Sequence, residues 1–99
     1  MKPMPEKSDA KADFVGRVDS TWLIKERGLI LLLHADSPGG NIKPGEIVEV
    51  RIPGAQPLMA RLTGTGVACG EGPCRLELLL SREFDKANIP SGAEIWRKP

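Results

Sequence analysis

The chain has no tyrosine, two phenylalanines and two tryptophans among its 99 residues. So few rings leave the core to Leu, Ile and Val. One histidine and two cysteines fall short of the four tightly spaced ligands that structural zinc takes, so no metal or other cofactor is expected. Charge of one sign is missing too: 14 basic residues face 13 acidic ones. A domain held to nucleic acid by bulk charge shows a strong basic excess or stripe. No apolar run approaches the ~20 residues of a membrane span; the longest, Leu29 to Leu33, suits a buried strand. Met1-Lys2-Pro3-Met4-Pro5-Glu6-Lys7 lacks the apolar segment of a secretory signal. The expectation is a cytoplasmic protein with no membrane partner. There is no Gly-x-x-x-x-Gly-Lys-[Ser/Thr] loop to cradle phosphates, so this chain is expected not to bind GTP.

What is present is punctuation. Eleven glycines and nine prolines lie between short apolar runs, which favours strands and turns over long helices. The most informative stretch is Gly40-Asn41-Ile42-Lys43-Pro44-Gly45-Glu46-Ile47-Val48-Glu49-Val50. Pro44 pre-sets φ for the first central position of a type II turn, and Gly45 supplies the positive φ the second requires. Alternation then puts Val48, Val50 and Ile52 on one face and Glu49 and Arg51 on the other. Asn88-Ile89-Pro90-Ser91-Gly92-Ala93-Glu94-Ile95 repeats the pattern. The reading is one core-reaching Ile, one turn and one strand, used twice as two corners of one small barrel.

Residues 1–12 are polar and aperiodic, and are expected to be a disordered tail. Residues 13–99 form the single domain. Asp13 to Ser20 reads as a first strand with Phe14, Gly16 and Val18 on one face and Arg17 and Asp19 on the other, and Thr21 to Ile24 as a short second one. Lys25-Glu26-Arg27-Gly28 is a charged turn. Leu29 to His34 is apolar on both faces and should be central or covered on both sides. Glu46 to Ile52 and Leu58 to Thr63 follow, the latter with Leu58, Ala60 and Leu62 inward. Arg75 to Leu80 carries Leu76, Leu78 and Leu80 on one face. Ser81 to Asn88 suits one helical turn, and Ala93 to Arg97 closes the sheet. The expected fold is all-β: a small closed antiparallel Greek-key barrel of six or seven strands.

Three places resemble the second domain of translational GTPases such as elongation factor Tu. Phe14-Val15-Gly16-Arg17-Val18 followed by Trp22-Leu23-Ile24-Lys25-Glu26-Arg27-Gly28 is similar to that family's opening strand, its aromatic-x-Ile step and its Gly-Arg-Gly turn. Glu26 stands where the family has the first of those glycines. Gly40 to Val50 resembles its Gly-x-Ile-x-x-Gly-Asp-x-Val-x-Val. Ile89-Pro90-Ser91-Gly92-Ala93-Glu94-Ile95 with Lys98-Pro99 resembles its closing segment. The resemblance implies a Greek-key β-barrel working in translation. The family's pocket for the aminoacylated tRNA end falls here on Asp19, Ser20, Thr21 and Trp22. No GTPase domain accompanies the barrel in this chain.

Trp22 beside Lys25 and Arg27 is the candidate contact surface, with Asp19 and Thr21 as further binding residues. An aromatic next to cations stacks a base or anchors a protein. The blander use is an aromatic that fills the barrel end beside a solvated turn. Cys69 and Cys74 flank Gly70-Glu71-Gly72-Pro73, a spacing natural for the legs of a hairpin loop. A disulfide, a metal site shared with His34 and two free thiols compete there, and free thiols are favoured in a cytoplasmic chain. His34 reads as a strand-end surface histidine, with Asp36 on its face and no nucleophile placed by motif. Arg17, Arg51, Arg61 and Arg75 fall outward among Asp19, Glu49 and Glu77, a pattern for cross-strand ion pairs. The expected function is a non-catalytic module that contacts RNA or the translation machinery through the Trp22/Lys25/Arg27 rim. The alternative is a protein–protein adaptor docking on a GTPase or other enzyme.

Overall fold

A computed structural model describes residues 13–39, 41–84 and 89–98. The tail expected over 1–12, and the second half of the helical turn expected over 81–88, lie outside the described residues. Six strands follow in order: β1 (Phe14–Ile24), β2 (Gly28–Leu33), β3 (Ile47–Arg51), β4 (Leu58–Ala68), β5 (Arg75–Leu80) and β6 (Glu94–Arg97). A 3₁₀ turn, Arg82–Phe84, precedes β6. The strands close into an antiparallel barrel in the order β1-β2-β5-β4-β3-β6. The two strands expected over 13–20 and 21–24 are one continuous strand, β1, so the barrel has six strands and not seven.

The interior is aliphatic. Val15, Val18, Leu31, Leu33, Val48, Val50, Ala60, Leu62, Leu78, Leu80 and Ile95 are all at or below 1% exposure, so alternation in β3 and β5 points as the sequence implied. In β1 it does not. A register shift between Phe14 and Gly16 against β6 breaks the two-residue period. Val15 therefore turns inward while Phe14 lies outside, its ring centroid 5.0 Å from that of Trp96.

Two corners close the ring. The Glu46 N–H donates to the Lys43 carbonyl at 3.2 Å, and the Ala93 N–H to the Pro90 carbonyl at 3.2 Å. Gly45 and Gly92 sit at φ 95° and 93°, the left-handed position of a type II turn. Each corner then exchanges backbone bonds with a long strand. Gly45 N–H meets the Leu62 carbonyl at 2.7 Å and Leu62 N–H returns to Glu46 at 2.9 Å. Gly92 N–H meets the Val18 carbonyl at 2.8 Å and Val18 N–H returns to Ala93 at 2.8 Å. Ile42 and Ile89, at 7% and 6% exposure, plug the core beneath them.

The likeness extends to the whole ring. β1 and β4 are both eleven residues long, and β2 and β5 are both six. The register shifts after Val18 against β2 and after Leu62 against β5, and those two residues are the ones that bond the corners. Exchanging β1 with β4, β2 with β5 and β3 with β6 leaves every neighbour in the ring unchanged. The barrel is two copies of one hairpin-corner-strand unit.

A Cβ added at Gly45 or Gly92 would meet nothing within 4 Å, so alanine there carries a backbone cost alone. Gly45→Ala and Gly92→Ala should each lower unfolding free energy by about 1–2 kcal/mol. Gly66, in β4, has no positive φ, and its added Cβ would meet only Glu77 Oε1 at an ordinary 3.6 Å. Gly66→Ala should therefore be neutral or stabilising by up to about 1 kcal/mol. Urea midpoints of the three variants check the contrast in sign.

Candidate functional site

The β1–β2 hairpin runs past the barrel wall. Its turn is closed by the Arg27 N–H donating to the Ile24 carbonyl at 2.9 Å, and Lys25, Glu26 and Arg27 are all exposed. On the strand just before it, Trp22 is 50% and Leu23 58% exposed, with Ile24 at 36%. Three adjacent apolar side chains in water, flanked by two cations, are unusual for a strand end with a free choice of residues. Trp22 pairs across to Ile30, Ile30 to Leu79, and Leu79 to Gly64. This row leads from the hairpin onto a shallow groove of about 170 Å³ lined by Ile30, Gly64, Thr65, Gly66, Glu77 and Leu79.

Of the five residues expected to bind, the structure groups Trp22, Lys25 and Arg27 on this hairpin. Thr21 is half-buried opposite Leu31, a residue of the core. Asp19 lies back along β1 and is committed elsewhere. Its Oδ2 accepts from Arg75 Nη1 at 2.5 Å, and its Oδ1 is 3.8 Å from His34 Nδ1. The carboxylate nearest His34 is therefore Asp19 and not Asp36. An open depression of about 480 Å³ lies beside them, lined by Arg17, His34, Ala35, Asp36 and Arg75. Of its two arginines, Arg75 is held by Asp19, and Arg17 has only a long 3.9 Å contact to Glu94.

Of the expected outward arginines, Arg17, Arg51 and Arg75 form ion pairs, while Arg61 Nη1 donates to the Gly45 carbonyl at 3.1 Å; the Arg51 pair lies within β3 and not across strands. Arg51 Nε is 2.7 Å from Glu49 Oε1. Arg97 Nε is 2.9 Å from Glu46 Oε1, while Glu46 Oε2 accepts the Lys43 N–H at 2.8 Å. Glu46 thus ties the first corner to β6.

Cys69 and Cys74 form a disulfide, against the free thiols the sequence favoured. Ala68 and Arg75 are the last paired residues of the β4–β5 hairpin. The next step along each leg brings the two cysteine Cα atoms to 4.2 Å. Such bonds persist mainly in oxidising compartments, which bears on the cytoplasmic expectation. Among the described residues no three His, Cys, Asp or Glu side chains cluster as metal ligands. No helix among them is long and apolar enough to cross a membrane.

A second aromatic surface was not legible in the sequence. On the outer wall of β1, β6 and β3, Phe14 packs against Trp96, and the Arg51 guanidinium lies 4.3 Å from the Trp96 ring centroid. Its signal was hidden because Phe14 reads as sharing a face with Val18 until the register shift is known. Comparison with known proteins finds no match: no family model, no curated protein and no solved structure resembles the chain at a meaningful level.

Two outcomes follow from the hairpins. Glu26 sits at φ 71°, a region that costs a side-chain-bearing residue about 1–2 kcal/mol. Glu26→Gly should raise the urea midpoint despite shortening a surface side chain. The disulfide joins residues only five apart in sequence, so its loop-closure contribution is about 2 kcal/mol. Replacing both cysteines by serine should lower stability by that amount and leave the far-ultraviolet circular dichroism of the barrel unchanged.

Proposed function

We propose that this protein is a non-catalytic binding module of the translation-factor barrel type, contacting RNA through the Trp22/Lys25/Arg27 hairpin. The observation that carries the reading is Trp22, half-exposed at the end of β1 with Lys25 and Arg27 exposed on the turn that follows. An indole that water can reach stacks a base in a sequence-tolerant way, and neighbouring cations meet the phosphates. Glu26 supports the resemblance on a physical ground. It takes a positive φ at the position where the similar family has glycine. The near-zero net charge makes such binding local, carried by particular side chains rather than by charge spread over the surface.

A second reading is favoured by Leu23 and Ile24, whose exposure adds apolar area that a phosphate backbone does not use. It is the protein adaptor, with Trp22 as anchor in a partner's pocket and the rim charges setting orientation.

Salt dependence separates the two. If RNA binds, Trp22→Ala should weaken it by about tenfold or more, as loss of one stacked base implies. Lys25→Ala with Arg27→Ala should flatten the dependence of log affinity on log salt by about one to two units. Fluorescence anisotropy of a labelled single-stranded RNA across a salt series measures both. Affinity that stays flat with salt, or no binding at low salt, removes the RNA reading.

A further inference from the structure

The chain spends half its aromatic residues on the outside of one wall. Burial of a ring is among the largest apolar contributions a small core can use, yet Phe14 and Trp96 are absent from the core cluster and only partly covered. Trp96 carries the Arg51 guanidinium on its β3 side. On its β1 side lies an open depression of about 400 Å³ lined by Phe14, Arg17, Glu94 and Trp96. The polar groups there are only partly used. Trp96 Nε1 donates to Glu94 Oε1 at 3.0 Å, which fixes the carboxylate. Glu94 Oε2 has Arg17 Nη2 as its neighbour at 3.9 Å, beyond hydrogen-bond reach. The Arg17 side chain is 52% exposed.

We infer that this depression is a second nucleic-acid subsite, taking one unpaired nucleobase with a preference for guanine; the inference rests on the RNA-binding reading above. The base stacks on the Phe14–Trp96 pair. Glu94, held by the Trp96 indole on one lone pair of Oε1, accepts from the base edge with Oε2 and with the remaining lone pair of Oε1. Guanine is the base that suits a fixed carboxylate, because its Watson–Crick edge presents both a ring N–H and an amino group, whereas uracil presents a single ring N–H. Arg17 meets the adjacent phosphate, and it gives up only a long contact to Glu94 in doing so. Recognition of unstacked bases by an aromatic platform and a side chain on the base edge is the common mode for single-stranded RNA. Arg51, already stacked on the indole, shows that the ring takes a planar cationic group on one side. With Phe14 packed beside the same indole, the base lies on the open side of the Phe14–Trp96 pair that faces Arg17 and Glu94.

The test uses the two tryptophans as separate reporters. Trp22→Phe leaves Trp96 as the single indole, and Trp96→Phe leaves Trp22. Each full-length variant is titrated with a five-nucleotide RNA holding one central guanosine among uridines, and with the all-uridine RNA. The expected result is saturable quenching of Trp96, with the guanosine RNA bound about tenfold more tightly. Glu94→Gln should abolish that preference, and Arg17→Ala should weaken both RNAs alike. Phe14→Leu keeps apolar packing and gives a second arm should Glu94→Gln lose the fold; it should weaken quenching of Trp96 severalfold. Quenching of Trp22 alone, with Trp96 unchanged at saturating RNA, overturns this subsite and leaves the rim reading standing. Absence of binding by the wild-type protein sinks both.

Discussion

Closure of the ring depends on one local exchange made twice: a glycine at positive φ gives its N–H to a long strand, and that strand returns its own N–H one residue further on. At the first corner the partners are Gly45, Glu46 and Leu62, and at the second Gly92, Ala93 and Val18. The turn can be this tight because neither glycine carries a Cβ. Ile42 and Ile89 fill the space beneath the two turns. Everything else in the barrel is arranged so that two strands arrive at those points with a carbonyl and an N–H free. The shifts in register after Val18 and Leu62 do this, since an irregular step is what releases a strand's backbone groups from one neighbour for use with another.

The duplication shapes where contacts can be made. The two units are alike in backbone and unlike in what they place at their hairpin ends. One ends in Trp22, Leu23, Ile24 and three charged residues. The other ends in Gly66, Val67, Ala68 and a disulfide-closed loop of glycine, glutamate and proline. The first exposes Trp22, Leu23 and Ile24, and the second exposes Val67 beside its disulfide-closed loop. Side chains at either end can therefore differ without disturbing the shared scaffold, because neither end contributes to the core.

Turn chemistry and aliphatic alternation were legible because both are local. Pro44-Gly45 announces its own φ values, and Val48, Val50, Leu78 and Leu80 need only their immediate neighbours to declare a face. The wrong face for Phe14 and the extra strand came from irregular steps in β1, which leave no residue-type signature: Val15 and Gly16 are both compatible with either side. The disulfide was one of three open readings, since the spacing fits a hairpin while the compartment argues against the bond. Trp22, Lys25 and Arg27 were findable as neighbours in sequence. Asp19 with Arg75, 56 residues apart, and Arg51 with Trp96 were not, because nothing short of the strand order brings them together.

β1 and β4 change partners midway. β1 gives Phe14–Arg17 to β6 and Val18–Ile24 to β2, and β4 gives Leu58–Arg61 to β3 and Leu62–Ala68 to β5. Each strand therefore belongs to both halves of the wall, and no line can be drawn through the ladder that parts one sheet from the other without severing a single continuous strand. Melting of either sheet removes the template of the other. The domain should accordingly lose its order in one all-or-none step, with no half-barrel surviving as a populated species.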